Sequence, residues 1–291
     1  MFDGFIGNEK LIARLSSLVS AGGLGHAVLL LGEDGCGRNA FAEKLAAAYL
    51  GDTHGMVARG VHPDLLVLEG TGAMNQIPVE AMRGALTELS YSAVTTGGRR
   101  ALLIRNASSL NRSSAAALLK TLEEPVDGVL FIITASSERD VIDTVASRCT
   151  KYTLLPAEIG ECADAAAART GASPEKCAQL SKLFSGRLGL VLHYIRNEQS
   201  ARSLVAAADF VDRYLAGDTA GMLSAAAKPA DRKAARQFWS EVSLFLLKRS
   251  ADTGDTRLAD AAETVRVALN ELEGNLNLRL FGTRLCLALT R

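Results

Sequence analysis

Ala27-Val-Leu-Leu-Leu31 runs directly into Gly32-Glu33-Asp34-Gly35-Cys36-Gly37-Arg38-Asn39, and the reading of this stretch decides the fold. A short apolar run, a glycine-rich turn and an Ala/Leu/Lys-rich segment from Asn39 to Tyr49 read as buried strand, loop and helix. Gly32 and Gly37 fall at the two glycines of the phosphate-binding pattern G-x-x-x-x-G-K-[ST]. Such glycines let backbone N–H groups and a helix N-terminus converge on an anion. The next two positions depart from the pattern. Arg38 stands for the lysine, and its planar fork is not interchangeable with an ammonium. Asn39 stands for the hydroxyl that ligates Mg²⁺, and an amide oxygen is a poor substitute. Gly32, Gly35, Gly37, Arg38 and Asn39 therefore read as a degenerate phosphate loop with weak or no nucleotide binding. A glycine-rich turn unrelated to nucleotides is the plainer alternative.

Outward from this loop, strands and helices alternate. Strands are expected at 64–68, 100–104, 129–134 and 150–155, and helices at 79–89, 113–124 and 140–147. Pro63, Pro78 and Pro125 mark an extended residue, a helix start and a helix end. This alternation implies a parallel sheet covered on both faces. After Pro156 the strands stop. Helices at 161–169 and 174–184, the turn Ser185-Gly-Arg-Leu-Gly189 and a further helix form a small unit. From about residue 200 the chain is helical, with Phe238, Val242, Phe245 and Leu246, then Leu278, Phe281 and Leu285, at helical spacing. The strand that carries metal-side acids in working sites ends here in Ile104-Arg105-Asn106, a cation and an amide.

Composition narrows the classes. The 291 residues suggest two or three domains; 48% are hydrophobic and 22% charged, as in ordinary globular proteins. No apolar run is long enough to cross a bilayer, and the N-terminus does not read as a signal peptide. The cytoplasm is the expected compartment, with no membrane partner. Lys+Arg and Asp+Glu both number 32, so no basic tail advertises nucleic acid. The five cysteines show no C-x-x-C spacing, which argues against a zinc or other metal site and for reduced, buried thiols. No Ser/His/Asp triad, H-E-x-x-H or catalytic carboxylate pair is present.

Leu118-Leu-Lys-Thr-Leu-Glu-Glu-Pro125, Phe131-Ile-Ile-Thr134 and Thr144-Val-Ala-Ser-Arg-Cys149, with His62-Pro-Asp64 and Ile77 to Arg83 upstream, resemble the AAA+ clamp-loader subunits of bacterial DNA polymerase III, among them the delta-prime and gamma/tau types. The likeness covers roughly the first half of the chain. It implies an α/β RecA-like AAA+ domain over 1–155 with a parallel sheet, a small helical lid over 156–198 and an all-α C-terminal collar domain for oligomerisation over 199–291. The degenerate loop points to the delta-prime type, without its own ATPase. Gly189 falls near where ATP-using relatives place a sensor arginine, although nearby Arg187 leaves that alignment open. Many relatives insert a four-cysteine zinc module before the His-Pro-Asp segment; Gly51 to Gly60 holds no cysteine, so no zinc is carried over.

Arg148, in Ser147-Arg148-Cys149, matches the arginine that such subunits project into a neighbour's ATP site as a finger in trans. Without the resemblance it reads as a helix-terminal arginine capping carbonyls or pairing with a surface acid. The resemblance further implies a hetero-oligomeric ring with gamma/tau-like and delta-like subunits, acting on a sliding clamp and primed DNA within the polymerase holoenzyme. The alternatives are a divergent AAA+ ATPase in which Arg38 does the lysine's work, and a stand-alone DNA-binding module. Leu118, Leu119 and Leu122 read as core, and Trp239 as core or collar interface. Lys120, Glu123 and Glu124 face a neighbouring subunit or solvent. His62 reads as structural, and Arg99, Arg100 and Arg112 as solvated surface or phosphate contacts.

Overall fold

In the computed structural model of the protein, residues 2–72, 75–273 and 277–290 are described. Five parallel strands form one sheet in the order β2-β3-β4-β1-β5: β1 Ala27–Leu31, β2 Leu65–Glu69, β3 Arg100–Arg105, β4 Val129–Ala135 and β5 Thr150–Thr153. β4 is buried along its whole length, while the edge strands β2 and β5 are partly exposed. Parallel strands need helical crossovers, and these cover both faces. On one face α1 (Glu9–Ser20) and α2 (Arg38–Leu50) bury Leu15, Phe41 and Leu45 against Val28, Leu30, Leu103 and Ile132. On the other, α3 (Val79–Leu89), α4 (Arg112–Glu123) and α5 (Asp143–Ala146) bury Met82, Leu118, Leu122 and Val145 against Leu29, Leu102, Phe131 and Ile133.

Local chemistry sets the helix ends that matter to the site. Gly37, at φ +83°, turns the chain out of the loop into α2, and Gly51, at φ +70°, closes that helix in the left-handed conformation glycine favours. The Asn111 side chain accepts a hydrogen bond from the Ser114 N–H at 2.9 Å and starts α4; Pro125 stands just past its end. Asn8 does not cap α1. Its amide instead bridges the backbone N–H and carbonyl of Leu155, both at 2.9 Å, and ties the N-terminal segment to the exit of β5.

Several elements differ from expectation. α1 lies outside the strand–helix alternation read from sequence. The helix expected at 140–147 is a tight turn over Glu138–Asp140, two extended residues and then the four-residue α5. β5 stops at Thr153, two residues early. Beyond the sheet come α6 (Ile159–Thr170), α7 (Pro174–Leu183) and α8 (Leu188–Arg196). The chain divides into compact units at Met1–Val191 and Leu192–Arg291. The second contains α9 (Glu198–Leu215), α10 (Thr219–Ala226), α11 (Arg232–Thr253), α12 (Thr256–Leu269) and α13 (Leu278–Leu289). Its core is an edge-to-face aromatic cluster, with Trp239 centred 5.1 Å from Phe210 and 5.2 Å from Phe238. Glu241 is buried there and accepts hydrogen bonds from Tyr194 (2.6 Å), Ser203 (2.5 Å) and Gln237 (2.9 Å), a network that helical periodicity does not disclose. No helix among the described residues is long and apolar enough to cross a membrane.

Asp64, the residue before β2, is fully buried and accepts backbone N–H bonds from Val94 and Thr95, each 2.8 Å, beside Arg100 at 3.8 Å. Burial works to raise its pKa, but hydrogen bonds from Thr95 and Val94 and the charge of Arg100 outweigh it and hold the carboxyl below its ordinary value. A lowered folded pKa contributes stability that is complete above the unfolded value, about 4, and drains away as pH falls through the folded one. Asp64→Ala leaves two N–H groups and a buried guanidinium without their carboxylate; we expect a loss of about 3 kcal/mol by denaturant titration at neutral pH, narrowing as the solution is acidified.

Candidate functional site

The carboxyl ends of β1, β3 and β4 lie together, the position at which open α/β sheets bind ligands. Gly32, Gly35, Gly37, Arg38 and Asn39 are all found there. The loop, however, is closed by its own chain. Arg38 is turned back into it: one terminal nitrogen donates to the Gly32 carbonyl at 2.5 Å and the other pairs with Asp34 at 2.7 Å. Only 12% of its side chain is exposed. The loop's second carboxylate, Glu33, pairs with Arg187 at 3.2 Å. Two acids on the rim of a phosphate loop oppose a polyanion, and the nearest cations are already engaged with them.

The Ser185–Gly189 turn and the first residues of α8 sit directly on this loop. The Gly189 N–H donates to the Gly35 carbonyl at 2.8 Å. Gly35 is at φ +89°, and a Cβ there would lie 2.6 Å from Leu190 Cγ; a Cβ on Gly189 would lie 3.0 Å from the Gly35 oxygen. Neither position accepts a side chain without the two segments moving apart. From the other side the Phe5 ring approaches Gly37, within 3.2 Å of where its Cβ would be, and packs edge-on to Phe41. Phe5 and Leu190 carry no signal in the sequence beyond their being apolar. The small residue at 189 does carry one.

The metal side is likewise tied up. Thr134, at the end of β4, donates its hydroxyl proton to Asn39 Oδ1 and accepts the Asn106 N–H, both at 2.9 Å. Arg105 bridges Glu43 at 2.6 Å and Glu69 at 3.0 Å, placing a guanidinium at the strand end where a Mg²⁺ site needs carboxylates. Among the described residues no group of three or more His, Cys, Asp or Glu side chains is arranged to hold a metal ion.

Arg148 lies just past α5, beside the end of α4. Its Nη1 donates to the Thr144 carbonyl at 2.8 Å and its Nη2 pairs with the Glu123 carboxylate. The side chain remains 34% exposed. Cys149 beside it is buried, and burial pushes its thiol up to about 11, so it is no nucleophile. The cysteines at 36, 162, 177 and 286 are also buried and free.

Other candidates resolve individually. Leu118 and Leu122 are core and Leu119 packs against it. His62 is buried, its Nδ1 accepting the Asp64 N–H at 3.2 Å. Arg100 is not a surface residue: it is 5% exposed, pairs with Asp64 and donates to the carbonyls of Glu88 and Tyr91. Arg99 lies over the Tyr49 ring at 5.1 Å and donates to the Tyr49 carbonyl at 3.0 Å. Burial takes Arg100 out of reach of a phosphate, while Arg99 stays half-buried against Tyr49.

A family model described as DNA polymerase III, delta subunit, matches residues 7–158. The DNA polymerase III subunit delta' of Pseudomonas aeruginosa is 34% identical over 136 residues, covering 43% of this chain and 41% of that one. The delta' subunit of Escherichia coli is 30% identical over 160 residues, covering 51% and 46%. The matched stretch thus spans less than half the length of either relative. Among solved structures, a DNA polymerase III gamma subunit-related protein from Thermotoga maritima superposes with a TM-score of 0.57 at 14% identity, over 96% of this chain and 98% of that one. The fold class expected from the sequence, a parallel α/β AAA+ domain followed by helices, is the one observed.

Closure of the loop has a direct test. Gly35→Ala introduces both a positive-φ strain and a clash with Leu190, and we expect it to lower stability by about 2–3 kcal/mol and to speed amide exchange over residues 187–190. Gly22→Ala, at φ +66° with nothing near its Cβ, supplies the strain-only control.

Proposed function

This chain belongs to the DNA polymerase III delta-subunit family, and from that premise we propose that it is a non-hydrolysing subunit of a sliding-clamp loader, lending Arg148 to the ATP site of a neighbouring subunit. The observation that carries the first half is the closed phosphate loop. Arg38 is held by Gly32 and Asp34, and Gly189 lies on Gly35. Asn39 and Arg105, at the metal-side positions, are engaged with Thr134, Glu43 and Glu69. Binding a nucleoside triphosphate there would require breaking several of these contacts in a field that already contains two carboxylates. The chain needs no nucleotide, metal or other cofactor of its own in this reading.

The second half rests on Arg148. It is outside the closed loop, lies just past α5 behind the buried Val145 and Ala146, and keeps a third of its side chain exposed. A guanidinium set against charge developing on a transferring phosphoryl group lowers the barrier to its transfer. Chemistry lost at one subunit's loop is then compatible with chemistry supplied at the next subunit's. The partners proposed are gamma/tau-like and delta-like subunits joined in a ring. Residues 1–155 form the AAA+ domain, 156–198 the lid and 199–291 the collar that holds the ring. Through the complex the chain would act on a sliding clamp and primed DNA, coupling hydrolysis to clamp release.

Two measurements test this. Arg148→Ala leaves ring assembly intact and lowers turnover at the one ATP site it completes by about 10³-fold, read as a loss of that site's burst in single-turnover assays of the reconstituted complex; unchanged turnover sinks the proposal. Titration of the isolated chain with Mg²⁺-ATP yields neither micromolar binding nor turnover. Saturable binding with hydrolysis by the lone chain would mean that Arg38 performs the lysine's work and that the chain is itself an ATPase.

A further inference from the structure

The partner of Arg148 is Glu123, the last residue of α4, within the Leu-Leu-Lys-Thr-Leu-Glu-Glu-Pro run. An exposed ion pair is ordinarily worth little, because two long side chains must be immobilised to make it. This one differs in its mounting. Leu122, immediately before Glu123, is 2% exposed, and Val145 and Ala146, just ahead of Arg148, are 0% and 3% exposed; all three belong to one core cluster. Both backbones are therefore fixed before the side chains meet. The guanidinium is also held at two points rather than one, by the Glu123 carboxylate on Nη2 and by the Thr144 carbonyl, 2.8 Å from Nη1. A guanidinium has five N–H groups, so three stay available for a further acceptor while both holds persist.

We infer that Glu123 is a positioning residue for Arg148: its carboxylate and the Thr144 carbonyl clamp the guanidinium in one orientation, so that the side chain is ordered before a phosphoryl group in the neighbouring site reaches it. The inference rests on the proposed role of Arg148 in trans. An arginine left unclamped gives up rotamer freedom at the moment it engages, and that cost falls on the transition state rather than on folding. Glu123 touches neither nucleotide nor water in this scheme and acts only through Arg148. Lys120 and Glu124, also exposed on the end of α4, are not part of the clamp.

The test is a double-mutant cycle in the reconstituted complex, reading single-turnover ATP hydrolysis and KM for ATP. Glu123→Ala is expected to lower the rate about tenfold with KM unchanged, and Glu123→Gln, which keeps an acceptor oxygen, to stay within about threefold of the parent. In an Arg148→Ala background, Glu123→Ala is expected to cause no further loss. A rate for Glu123→Ala equal to or above the parent overturns the inference, as does a further loss in the Arg148→Ala background. If Arg148→Ala lowers turnover and Glu123→Ala does not, the clamp alone is wrong. If Arg148→Ala has no effect, the role in trans fails and the clamp with it. Thermal unfolding of both Glu123 variants, expected within a degree or two of the parent, separates a lost clamp from a lost fold.

Discussion

The backbone of Gly189 rests on the backbone of Gly35, and the arrangement of the first unit turns on that contact. A 2.8 Å hydrogen bond between two glycines means that no side chain from either element separates them. Everything around the loop is consistent with the approach. Leu190 covers Gly35, Arg187 reaches down to Glu33, and Phe5 closes the side at Gly37. A Cβ at Gly186 would fall on the Ala157 carbonyl, so the turn that delivers Gly189 also depends on glycine. Protein interiors transmit such constraints because they are close-packed, and a shift at one glycine is felt at the next.

Three arginines of the first unit, Arg38 and Arg105 beside the loop and Arg100 at the opposite end of β3, show how local partners convert charge into structure. Arg38, Arg100 and Arg105 each meet a carboxylate, and Arg38 and Arg100 also meet backbone carbonyls. Once desolvated in this way a guanidinium is costly to release, because its partner is left uncompensated. Arg38 is the instructive case. In sequence Arg38 keeps the charge of the lysine it stands for and already reads as not interchangeable with it, with no sign of where the side chain goes. Its fork, however, reaches Gly32 and Asp34 together, which a single ammonium at the end of a flexible stem is not shaped to do. Arg38 supplies the loop with an internal ligand.

How much of this is legible in the sequence depends on which forces are local. Strand and helix positions are, because apolar runs, prolines and glycines act within a few residues: α3 starts and stops where Pro78 and the apolar spacing predict. α1 is not, since Asn8, its cap position, spends its side chain on Leu155, 147 residues away. The stretch 140–147 reads as one helix, but Asp140 closes a tight turn that begins at Glu138 and helix starts only at Asp143, after the extended Val141 and Ile142. At the site, the degenerate loop is visible from Arg38 and Asn39 alone. Its closure is not, because it depends on Phe5 and on residues 187–190, which sequence places far from the loop. Arg100 reads as surface for the same reason: its partners, Asp64 and the carbonyls of Glu88 and Tyr91, come from separate segments.

Arg148 and Arg38 are both arginines with two holds, yet they are physically opposite. Both of Arg38's holds come from the loop it would have served, leaving it 12% exposed. Arg148 is held by the ends of two helices away from that loop, and it is nearly three times as exposed. These two contacts are also those of a helix-end arginine that caps a carbonyl and pairs with a surface acid; the proposed role in trans adds that the orientation they hold serves a neighbouring site. The second hold is what a group needs when its orientation, not merely its charge, has to be ready in advance. In the proposed ring, the degenerate loop and the ordered arginine are then two sides of one division of labour. On that proposal the first would remove the chain's claim on a nucleotide of its own, and the second would hold in place a cation to offer to another.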